Sequence, residues 1–73
     1  MQLEKSREWF YSAKEAIEFV TDGMGFKPLP KYKGKIPKLK ADKPLQFMGR
    51  TQAATVSLMP ASGMVLVRFT KTM

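Results

Sequence analysis

Arg7-Glu-Trp-Phe-Tyr-Ser-Ala-Lys-Glu15 admits two readings, and the architecture turns on the choice. On a helical wheel of about 100° per residue, Leu3, Trp9, Phe10, Ala13, Ala16, Ile17 and Val20 share one broad face. Glu4, Glu8, Glu15, Glu18 and Asp22 gather in a sector of about 80° on the other side, with Tyr11 among them. That segregation favours a single amphipathic helix from about Leu3 to Thr21, with Trp9 in the core and Gly23 as the left-handed stop. The second reading starts from Ser12-Ala-Lys-Glu15, which matches a capping box: Ser12 caps the helix and Glu15 reaches back. It makes Arg7–Tyr11 a short strand and starts the helix after Ser12. The wheel tips the reading to the long helix.

The C-terminal third carries a strand signature. Leu45–Met48 reads as a short edge strand broken by Gly49. Thr51–Met59 alternates, with Ala54, Val56 and Leu58 on one side and Thr55 and Ser57 on the other. Pro60-Ala-Ser-Gly63 reads as a four-residue hairpin loop, glycine taking the positive-φ position. Met64–Thr70 is apolar on both faces, the mark of a central strand, with Val65, Val67 and Phe69 opposed to Met64, Leu66 and Arg68. A bare hairpin is marginally stable, so the helix must dock on it.

Between the two lies Lys27–Lys43, with seven of the chain's thirteen Lys and Arg and one acid, Asp42. Pro28, Pro30, Pro37 and Gly34 forbid a continuous helix. Leu29, Tyr32, Ile36 and Leu39 are candidate anchors onto the core. The expected fold is therefore α+β in a single small domain spanning 1–73. Its parts are an N-terminal amphipathic helix (1–26), a long basic Pro-rich extended connection (27–44) and a two- or three-stranded antiparallel sheet (45–73) on which the helix packs.

Composition narrows the function. There is no Cys and no His in 73 residues. That removes disulfides, thiolate zinc sites, the cysteine nucleophile and the commonest general base. No phosphate-binding glycine loop of standard spacing is present. The expectation is a protein that is not an enzyme and holds no metal or cofactor. No apolar run nears the roughly 18 residues of a membrane span, and no signal peptide is visible, so a soluble cytoplasmic protein is expected.

The net charge of +7 favours an acidic partner. The acids lie mainly in the first third and the bases in 27–43. The expected function is nucleic-acid binding, DNA or RNA, through phosphate contacts. Lys31, Lys33, Lys35, Lys38 and Lys40 would hold the backbone, Tyr32 would stack on an unpaired base, and Arg50 and Arg68 would assist. The alternative is a small modulator of a larger protein, acting through the acidic helix face with Tyr11 or through a patch of Met48, Met59 and Met64. An anionic membrane surface ranks third, because the basic segment lacks the aromatic payload that such anchoring prefers.

Overall fold

The computed structural model describes residues 7–71. Strands run over Arg7–Phe10 (β1), Lys27–Pro28 (β2), Leu45–Met48 (β3), Gln52–Leu58 (β4) and Val65–Lys71 (β5). They form one antiparallel sheet in the order β1-β5-β4-β3-β2. The helix α1, Ala13–Glu18, continues through a widened turn over Phe19–Gly23. The protein is α+β as expected, but the sheet has five strands where two or three were expected.

The capping-box reading is the one realised. Ser12 is extended, and its hydroxyl accepts a hydrogen bond from the Glu15 amide at 3.2 Å. The Glu15 carboxylate in turn accepts from the Tyr11 amide at 3.3 Å. This cap starts the helix at Ala13 and frees Arg7–Phe10 to pair with β5. The long helix from Leu3 is thereby overturned for residues 7–12; Leu3–Ser6 lie outside the described residues. Four residues are too few to tell a helical face from a strand face, and Glu8 spoils the alternation by standing on the inward side, opposite Val67.

The helix also stops differently. Met24 donates to the Phe19 carbonyl five residues back, the bond of a π-type turn, and Phe26 donates to Val20. The left-handed residue is Gly25 (φ 78), not Gly23. The extra length carries Phe26 back over the sheet. There it meets Phe69 edge-on at 6.1 Å, while Phe19 bridges Phe10 and Phe69 at 5.1 and 6.3 Å.

Ala16, Val20 and Phe26 pack on one sheet face, against Leu45, Phe47, Ala54, Val56, Val65 and Val67. Ala54 and Val56, and Val65 and Val67, share a face as the alternation of their strands predicts; Leu45 and Phe47 join them through the register of β3. The hairpin is built as expected: Met59 donates to Met64 at 2.9 Å, Gly63 donates to Met59 at 2.8 Å, and Gly63 is left-handed (φ 75). β5 is interior, flanked by β1 and β4. β3 is not an edge, because Lys27 and Pro28 pair with Met48 and Phe47. β2 takes that edge, the position where a proline's missing N–H leaves no ladder bond open.

The turn after β3 has little room. A Cβ on Gly49 would lie 2.6 Å from the Phe26 ring, and Phe26 is buried. Gly49→Ala must displace that ring. It should destabilise the fold by about 1–3 kcal/mol. A thermal melt then drops by at least about 4 °C; an unchanged melt would mean that Phe26 is not seated there.

Candidate nucleic-acid interface

The basic connection is an ordered lobe clamped to the β3 end of the sheet. Pro30–Tyr32 forms a single 3-10 turn. Lys40 and Lys43 pair across a tight turn, the Lys43 amide donating to the Lys40 carbonyl at 3.1 Å. Leu39 is buried in the core and Tyr32 is half-buried against it, so these two of the four expected anchors hold the lobe; Leu29 is half-buried outside the core cluster and Ile36 is exposed. The Tyr32 hydroxyl accepts a hydrogen bond from the Gln46 amide of β3 at 3.0 Å. The Lys31 ammonium lies 5.5 Å from the centre of the Tyr32 ring. Tyr32 is thus the pin between lobe and sheet. Tyr32→Phe should cost about 0.5–1.5 kcal/mol and release the Gln46 amide to hydrogen exchange. Unchanged protection at Gln46 would refute the pin.

Lys31, Lys38, Lys40 and Lys43 converge on a hollow of about 510 Å³, walled by Tyr32, Pro37, Pro44 and Leu45. Among the described residues no carboxylate lines it. Among the described residues, none of the seven lysines of 27–43 forms an ion pair with a carboxylate. Lys33 and Lys35 are exposed on the same lobe but outside the hollow. Lys33 is left-handed (φ 55), the one non-glycine residue so placed among those described.

The two arginines lie elsewhere. Arg50 sits in the turn at the far end of β3, beside a separate hollow of about 300 Å³ formed with Met24–Phe26 and Gly49–Gln52. Arg68 is exposed on β5, on the sheet face away from the helix, directly opposite Thr55. So Lys31, Tyr32, Lys38 and Lys40 come together with Lys43, while Arg50 and Arg68 do not join them.

Sequence reasoning missed Arg7 and Lys43. Arg7 stands opposite Arg68 across the β1–β5 ladder, which becomes visible only once β1 is a strand. The signal for that was the Ser12/Glu15 box. Trp9 was expected in the core; instead it is 49% exposed on the outer face, opposite Leu66.

The acidic surface is also rearranged. Glu8 belongs to β1, and Glu4 lies outside the described residues. Glu15, Glu18 and Asp22 border an open groove at the β1 edge with Trp9, Tyr11 and Phe19. Tyr11 is 82% exposed. The methionine patch does not form. Met48 stands opposite Ala53, about 20 Å along β4 from Met59, at about 3.3 Å per residue.

No protein-family model matches the chain, and no curated protein and no solved structure matches it. Among the described residues no group of acidic side chains is placed to hold a metal ion, and no helix is long and apolar enough to cross a membrane.

Proposed function

We propose that this protein binds nucleic acid without catalysing a reaction on it, in the cytoplasm, and that the basic lobe grips phosphates. The observation that carries the reading is that Lys31, Lys38, Lys40 and Lys43 line one hollow with no carboxylate of the described residues among them. Like charges gathered on one lobe repel one another, and a polyanion relieves that repulsion. Lysines suit backbone contact, since each is a point charge on a long stem that matches a phosphate without reading a base. Lys33 and Lys35 extend the positive field of the lobe. Tyr32 is tied to β3, so we assign it to holding the lobe as well as to any contact with a base.

Filter binding over a salt series, with duplex DNA, single-stranded DNA and RNA, tests the reading. Affinity should fall steeply with salt, with a slope that counts the engaged phosphates at about 0.9 each on duplex DNA. Lack of binding to all three at low salt removes it.

The acidic groove at the β1 edge supports a second reading, a modulator that holds a basic segment of a larger protein. Tyr11 and Trp9 there offer exposed aromatic surface beside Glu15, Glu18 and Asp22. A stoichiometric protein retained in a pull-down after nuclease treatment favours this reading; loss of all bound material favours the first.

A further inference from the structure

The sheet packs one of its faces against α1 and Phe26; on the other, Leu66 is buried and Ala53, Thr55 and Ser57 are half-buried, while Arg7, Trp9, Arg68, Gln46 and Met48 are exposed. The register places three rows across that second face. One runs Arg7, Arg68, Thr55, Gln46 over β1, β5, β4 and β3. A second runs Trp9, Leu66, Ser57. A third runs Thr70, Ala53, Met48, Lys27. These rows carry three cations and no acid.

Resting on the nucleic-acid reading above, we infer that the form bound is a single strand. It lies across this outer face from the lysine hollow to β1, with Trp9 stacking on a base and Arg7 and Arg68 holding phosphate. Arg7 and Arg68 are directly opposed, an arrangement that disfavours the sheet unless an anion sits between them. Neither can shed its proton to escape. Between them and the lysine lobe the row carries Thr55 and Gln46, which share a shallow hollow of about 220 Å³ with Leu29, Met48 and Ala53. The row meets the lobe at the β3 strand, where the Gln46 amide donates to the Tyr32 hydroxyl. With strands about 4.8 Å apart, the path from β3 to β1 is about 14 Å. Trp9 decides between forms: a half-exposed indole on a sheet face gains from an unpaired base and finds no free base face in a duplex. Glu15, Glu18 and Asp22 border Trp9 on the helix side, so their charge ends the footprint at β1.

Trp9 is the chain's one tryptophan, so its fluorescence reports this face. The full chain is titrated at low salt with an oligothymidylate, with a duplex of matched length, and with vesicles containing anionic phospholipid. Quenching by the oligothymidylate is expected. Trp9→Ala should weaken single-strand binding about fivefold or more while leaving duplex affinity within about twofold. Arg7→Gln, which keeps the tryptophan and lies exposed at the edge, should reduce the single-strand salt slope by about 0.7. Binding with no quenching and no loss in either variant overturns the face and leaves the lysine reading standing. No binding of any nucleic acid removes both. A response to the vesicles alone overturns the inference in favour of a lipid surface.

Discussion

Replacing Lys31, Lys38, Lys40 and Lys43 together by glutamine should abolish most nucleic-acid binding while leaving the fold intact. The four lysines line one hollow and pair with no described carboxylate, so removing them breaks no ion pair among the described residues. Each neutralised phosphate contributes about 0.9 to the salt slope on duplex DNA, so the variant should lose about 3.6 of it. Measured at about 0.1 M salt, that is a loss of three to four decades in affinity relative to a common value near 1 M. Replacing Lys33 and Lys35 is the matched control. These two lysines belong to the same lobe but lie outside the hollow. If convergence matters, each of them costs less than each of the four. Equal loss per lysine would show that total charge, not the hollow, drives binding. An unaltered circular-dichroism spectrum for both variants keeps the comparison clean.

Phe47→Ala should unfold the protein at room temperature. Phe47 is fully buried and the largest side chain so placed; its register neighbours are Pro28 and Ala54. Truncating a buried Phe costs about 3–5 kcal/mol, from lost transfer energy and from the cavity left behind. A domain this small, with no cysteine to form a disulfide, holds only about 3–5 kcal/mol in its core. The loss is therefore comparable with the whole stability. Thermal melting followed by circular dichroism checks it: the transition should vanish or fall by at least about 12 °C. A cooperative melt displaced by only a few degrees would mean that β3 is not the floor of the core. Because β2 and the lobe both hang on β3, the same substitution should release the lysine hollow and weaken binding.

Much of this architecture was legible along the chain. The inward residues of β4 and β5, the Pro60–Gly63 turn and the interior place of β5 all follow from alternation and local turn chemistry. The start of α1 was equally present in Ser12 and Glu15, but the wheel of Leu3–Thr21 outweighed it. Arg7–Phe10 failed because its pattern is short and mixed, and its strand state is stabilised by β5, more than fifty residues away. Lys27–Pro28 failed likewise: two residues have no periodicity, and their pairing is with β3.

By itself the sequence determined an α+β chain with a C-terminal hairpin, a cation-rich middle and no thiol or imidazole chemistry, because these depend on residue type and on neighbours within a few positions. Tertiary structure alone decided that five strands join, that Trp9 faces outward, that Arg7 meets Arg68, and that four of seven lysines share one hollow. Those outcomes belong to strand register and loop closure over long separations. A one-residue shift in register would send Trp9 inward and Glu8 out, and no local pattern chooses between the two until the partner strand is in place.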